Sequence, residues 1–74
     1  MTINKNNTIT KKFGQKLKAI RNEKIMSQGD IARSLGVHRS YISGLERGIR
    51  NPTLTNIERL AKSLGIKMSK LLEE

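Results

Sequence analysis

One histidine, His38, is followed directly by Arg39, and two serines, Ser40 and Ser43, stand close behind them. The 74-residue chain has no cysteine and no second histidine. A zinc site draws its ligands from several Cys and His side chains, so His38 has no partners for one, and no metal or other cofactor is expected. The serines, the one aspartate and the histidine do not make a catalytic set either. A nucleophile, a base and an orienting acid must converge in a pocket, and a chain this short cannot enclose a deep one; no enzyme activity is expected. What these residue types do supply is recognition chemistry. The chain carries 15 Lys and Arg against 6 Asp and Glu, a net charge of +9. Such a charge calls for a polyanionic partner, nucleic acid first.

Those side chains need a scaffold. Hydrophobic residues make up 35% of the chain and aromatics 3%, too thin for a sandwich or barrel core but enough for a small bundle built on Leu and Ile. No apolar run approaches the roughly 20 residues of a membrane span. The opening MTINKNNTIT also lacks the apolar stretch of a signal peptide, so no membrane partner and a cytoplasmic location are expected. Residues 1–9, rich in Asn and Thr and without apolar periodicity, read as a flexible tail. Residues 10–74 read as one all-α domain of five helices divided at Gly and Pro.

Thr10 is placed to cap the first helix, whose stripe is Phe13, Leu17 and Ile20. Gly14 within it suits a close approach by a neighbouring helix. In the second, Ser27 is an N-cap with Asp30 in the first turn, Ile31, Ala32 and Leu35 form the stripe, and Gly36 is the stop. The third carries Ile42 and Leu45 inward and stops at Gly48, with Ile49 where a Schellman motif makes its hydrophobic contact. Pro52 and Thr53 precede the fourth, with its stripe of Leu54, Ile57, Leu60, Ala61 and Leu64 and its stop at Gly65. The last, MSKLLEE, is too short to stand without packing.

The second and third segments, about residues 27–47, have the makings of a helix-turn-helix: small Ala32 at the crossing, Gly36 in the turn, branched Ile42 in the second helix. On these residues, and on the text FGQKLKAIR, SQGDIARSLGVHRSYISGLERG and NPTLTNIERLAKSLG, residues 13–72 resemble the phage-repressor/Cro-type, or xenobiotic-response-element type, helix-turn-helix family. The segment HRSYISGLERGIRN resembles the controller proteins of restriction–modification systems in particular. One departure is Ile25, where the family usually has Gly.

The resemblance implies a dimeric transcription regulator on a double-stranded DNA operator of twofold character, with the third helix entering the major groove by its N-terminal turns. Arg39 is then the first candidate for base reading, since a guanidinium bonds both O6 and N7 of guanine. Ser40 and Ser43 can also reach base edges, and Gly44 would let the backbone approach DNA. Gln28 takes the family's phosphate-binding and bracing role. His38, Tyr41, Arg47, Arg50, Asn51 and Thr53 are the further candidates for phosphate contact. Ile66, Met68, Leu71 and Leu72 are more apolar material than so short a terminal segment needs, and part of it is expected to form the homodimer contact. Arg21 lies four residues after Leu17, and Glu46 four after Ile42, each at the edge of an inward stripe. They are expected to form a structural ion pair, as family members often do. The rival reading is an antitoxin-type module that binds a partner protein, with DNA binding secondary. A second rival is a binder of structured RNA; the lack of exposed aromatics for base stacking argues against recognition of single-stranded RNA.

Overall fold

The computed structural model describes residues 4–73, with side chains from Ile9 onward. Five helices follow one another: α1 Asn4–Glu23, α2 Gln28–Leu35, α3 Arg39–Glu46, α4 Leu54–Leu64 and α5 Met68–Leu72, with no strand among the described residues. α3 packs against both α1 and α2, α4 against α2 and α5, and α5 returns to α1. Their apolar stripes meet in one core: Phe13, Leu17 and Ile20 of α1, Ile31, Ala32 and Leu35 of α2, Ile42 and Leu45 of α3, Ile57, Leu60, Ala61 and Leu64 of α4, and Leu71 of α5. Each fully buried Leu or Ile contributes about 1.5–3 kcal/mol, so the short helices are held by their packing rather than by propensity.

Helix ends follow the local chemistry. Ser27 and Asp30 form a reciprocal capping box at the start of α2, and the Thr53 side chain accepts the Asn56 N–H at the start of α4. At the other end, α1 to α4 all close with a backbone N–H reaching back to a carbonyl five residues earlier: Met26 to Arg21, Val37 to Ala32, Ile49 to Gly44 and Ile66 to Ala61. This is the Schellman arrangement, which puts the preceding residue in the left-handed region. Glycine fills that place at Gly36, Gly48 and Gly65, but Ile25 fills it after α1, at φ 55°. Met26, Val37 and Ile66 then pack on the core as the motif's hydrophobic contact. Ile49 does not; it is 65% exposed, against the sequence expectation.

Four other expectations are corrected. Residues 4–9 of the expected tail continue α1; residues 1–3 lie outside the described residues. Lack of apolar periodicity argues against burial, not against helix, and once the docked turns exist each further residue adds a hydrogen bond. Thr10 therefore lies within α1 rather than capping it, and its hydroxyl donates to the Gly48 carbonyl at 2.8 Å. Leu54, at the first position of α4, falls beyond the core edge and is 73% exposed. Leu71, proposed for a contact between copies, is core, with 1% of its surface exposed.

Gly14 marks where α1 and α3 touch. A Cβ there would stand 2.6 Å from the Glu46 carbonyl oxygen and closer still to that of Leu45. Backbone at that range cannot yield, so only a hydrogen side chain permits the crossing. Two substitutions should therefore move stability in opposite directions. Gly14→Ala, although a better helix former, should cost about 2 kcal/mol through overpacking. Ile25→Gly should relieve a left-handed β-branched residue that is 91% exposed, gaining about 1 kcal/mol, or about 4–8 °C in Tm for a domain of this size. Thermal melts followed by circular dichroism check both; a lower Tm for Ile25→Gly would contradict the strain argument.

Candidate nucleic-acid interface

The site is built on α3. Gly36, in the left-handed conformation at φ 71°, turns the chain sharply out of α2. Val37 anchors the turn on the core, and His38 occupies the N-cap of α3 with no side-chain hydrogen bond to the helix. Ile42 and Leu45, both at 0% exposure, fix the rotation of α3 about its axis. Helical periodicity then sends the leading turn outward: His38, Arg39 and Ser40 are exposed, and Tyr41 and Ser43 are half-buried. Past the helix, Arg47, Arg50, Asn51 and Thr53 are exposed along the segment leading to α4. Most of the residues singled out for base and phosphate contact thus lie along one stretch of surface, from the head of α3 to the head of α4.

Gly44 is the exception. It is buried, and the Arg50 side chain lies across it; a Cβ at position 44 would stand 2.6 Å from Arg50 Cγ. The expectation that its bare backbone is open to DNA is corrected, because an arginine stem already occupies that space. The Arg50 guanidinium carbon reaches a point 5.8 Å from the centre of the Tyr41 ring, within range of a cation–π attraction.

Behind α3, the expected ion pair is present and is part of a larger network. Arg21 Nε and Nη2 donate to Glu46 Oε2 and Oε1 at 2.5 and 3.0 Å. Gln28 Nε2 donates to Glu46 Oε1 at 2.9 Å, and Arg21 Nη1 donates to the Met26 carbonyl at 2.7 Å. The hydrogen bond to Glu46 raises the Arg21 pKa above its ordinary value, against the desolvation that lowers it; the Coulomb attraction of the carboxylate acts in the same sense. The acid within α3 is therefore paired, and a carboxylate that would repel phosphate is turned inward. The bracing half of the role expected for Gln28 is visible in its hydrogen bond. By contrast the Arg33–Asp30 pair is solvent-exposed and adds little to stability.

Two residues of α4 that were not expected at the site support it. Asn56 Nδ2 donates to the Tyr41 hydroxyl at 2.9 Å. Arg59 donates to the Leu35 carbonyl at the end of α2, and to Asn56 Oδ1 at 3.4 Å. Their spacing of three residues puts Asn56 and Arg59 on one face of α4, which is legible in sequence. That this face abuts α2 and Tyr41 is not. Of the terminal apolar residues, Ile66 and Met68 are half-buried against the core, while Leu72 is 50% exposed. Leu72 borders an apolar hollow with Ile9, Phe13, Pro52 and Ile57, and Met68 shares a mixed one with Leu54, Thr55 and Glu58. No group of three or more His, Cys, Asp or Glu able to hold a metal occurs among the described residues, and none of their helices is long and apolar enough to cross a membrane.

Residues 17–71 match the helix-turn-helix family model. The control protein C.BamHI of Bacillus amyloliquefaciens is 47% identical over 68 residues, spanning 90% of this chain and 84% of that protein. Among solved structures, the restriction–modification controller protein C.AhdI from Aeromonas hydrophila superposes with a TM-score of 0.81 at 45% identity, covering 84% of this chain and 94% of that one. The controller protein C.Esp1396I, solved as a tetramer on its natural 35 base-pair operator, gives 0.74 at 33% identity, over 88% of this chain and 96% of that one.

The network predicts a coupled response. Arg21→Met or Glu46→Leu alone leaves a charge unpaired at a mostly buried site and should cost about 3–5 kcal/mol, whereas the double substitution should recover much of that loss. Denaturant titrations of the four proteins check it. Losses that simply add would mean that the two side chains do not act as a unit.

Proposed function

The chain belongs to the helix-turn-helix family, and we propose that it regulates transcription as a restriction–modification controller, a homodimer with one α3 in the major groove of each half of a symmetric operator. The observation that carries this reading is the leading turn of α3. His38, Arg39 and Ser40 are exposed there, cations flank them at Arg47 and Arg50, and the acid within α3 is paired on the opposite side. A surface of that composition neutralises phosphates and offers a guanidinium to base edges. C.BamHI is named a control protein and C.Esp1396I was solved on its operator, which favours a regulator over the partner-protein module weighed against it. Its place of action is that of its DNA, the cytoplasm.

In this reading Arg39 reads bases, with Ser40 and the partly covered Ser43 assisting. Gln28, Tyr41, Arg47, Arg50, Asn51 and Thr53 meet the backbone, together with His38 at the head of the helix. Two copies meet through Leu72, with Met68 and Ile66 at the edge of the contact. A dimer is needed because one recognition helix reads too few base pairs to single out a genomic site.

Selection of bound duplexes from a random pool should return a motif with twofold symmetry. Binding to it should weaken about 10³–10⁵-fold between roughly 50 and 200 mM salt if 6–10 phosphates are contacted. Arg39→Ala should cost roughly 1–3 kcal/mol on that duplex and relax preference at one base pair per half-site. An unchanged selected motif would remove Arg39 from base reading, and a salt-independent affinity would count against the whole interface.

Assembly is checked separately. Leu72→Asp should give a folded monomer by sedimentation, with weakened operator binding, because Leu72 is exposed. Leu71→Asp should instead unfold the chain, because Leu71 is core. A wild-type chain that stayed monomeric at tens of micromolar would exclude the dimer.

A further inference from the structure

A glycine inside a recognition helix needs a reason. It loses more backbone freedom on folding than alanine does, and α3 is only eight residues long. The usual reasons do not account for Gly44: its φ is not positive, and the three atoms nearest to a Cβ there belong to no other helix. Those three nearest atoms all belong to one side chain, Arg50. A Cβ at this position would lie 3.7 Å from Arg50 Cβ, 2.6 Å from Cγ and 3.6 Å from Nε. The stem of Arg50 therefore lies flat along the helix where a side chain at 44 would stand. Tyr41 is three residues before Gly44, on the same helix face, and its ring meets the guanidinium. The ring is itself held from behind, through the hydroxyl that accepts from Asn56. Among the described residues, the ion pairs found do not include Arg50, so no carboxylate competes for it.

We infer that Gly44 is a positioning residue for DNA binding: its missing side chain forms a channel in which Arg50 is laid down and aimed, with the Tyr41 ring, held by Asn56, as its far wall, so that the guanidinium is ordered before a phosphate arrives. This rests on the DNA-binding reading above and assigns Gly44 a role within it. Gly44 acts through Arg50 and does not itself meet DNA. An arginine is costly to order because its long stem has many rotamers, and pre-ordering removes that cost from the binding step. The helix gives up propensity at position 44 to obtain it.

The test uses the intact chain and its Gly44→Ala, Arg50→Ala and double variants, with a fluorescein-labelled mixed-sequence duplex as probe, since a phosphate contact is independent of sequence. Gly44→Ala should melt no lower than wild type, because alanine is the better helix former and an exposed arginine can move aside. Its binding should nevertheless weaken severalfold, towards the roughly tenfold loss expected for removing the Arg50 charge-assisted bond. Its salt slope should fall with that of Arg50→Ala, by up to about one per subunit. In the Arg50→Ala background, adding Gly44→Ala should change nothing further. Proton NMR of wild type should show contacts from the Arg50 methylenes to Gly44 Hα and the Tyr41 ring, and Gly44→Ala should lose them.

Three results would overturn the inference. One is wild-type affinity for Gly44→Ala. Another is an equal loss on adding Gly44→Ala to Arg50→Ala, which would mean that the backbone at 44 meets DNA directly. The third is absence of the Arg50–Gly44 contacts in the wild-type spectrum, which is decisive even if a variant fails to fold. A wild type that bound no duplex would instead sink the DNA-binding reading itself, and the inference with it.

Discussion

Glu46 sits at the inner edge of α3 with its carboxylate turned away from water, and the remaining geometry of that helix depends on how its charge is met. Arg21 of α1 supplies two N–H groups and Gln28 of α2 a third. One acidic side chain thus ties three helices together. The same guanidinium also takes the Met26 carbonyl, fixing the chain where α1 turns towards α2. A buried pair of this kind is weak evidence for net stability, since apolar replacements can serve as well. What it does fix is register: a forked donor facing a forked acceptor tolerates little sliding or rotation. For a helix that must present one particular edge outward, that constraint matters more than the energy.

The packing around the network leaves no slack. α1 and α3 approach so closely at Gly14 that backbone meets backbone, and Gly48 is covered in the same way by Lys11, whose Cα lies 2.8 Å from where a Cβ would be. The Thr10 hydroxyl adds a hydrogen bond to the Gly48 carbonyl. The end of α3 is therefore clamped by α1 through shape as well as charge. A small domain has few core residues with which to hold an orientation, and close helix contact supplies rigidity that volume cannot.

Outward from that clamp, the surface is layered. The core-facing side of α3 is apolar, its edge carries the tied Tyr41, and its leading turn is basic. α4 contributes from behind: Asn56 holds the tyrosine hydroxyl, and Arg59 caps the carbonyl at the end of α2. The two helices of the motif are thus buttressed by a third, and the exposed surface running from the head of α3 to the head of α4 is held from behind by α4.

Much of this was legible in the residues themselves. The stops at Gly36, Gly48 and Gly65, the caps at Ser27 and Thr53, and the periodic Leu and Ile stripes are local signals, because a helix end and an amphipathic face are determined within a few residues of chain. The Arg21–Glu46 pairing was also within reach: each stood at a stripe edge, and lone charges in such places need partners. Tertiary contact decided the rest. Residues 4–9 join α1, since a helix that is docked further along extends at little cost. Leu71 and Leu72 are neighbours of the same type, yet one is core and the other surface, and only the docking of α5 on α1 and α4 separates them. Gly44 looked open and is roofed by Arg50, which follows it by six positions across a turn whose path no local rule specifies. Sequence spacing sets which face a residue occupies on its own helix; what lies opposite that face depends on how the helices pack, because the contacts that choose it join residues far apart in the chain.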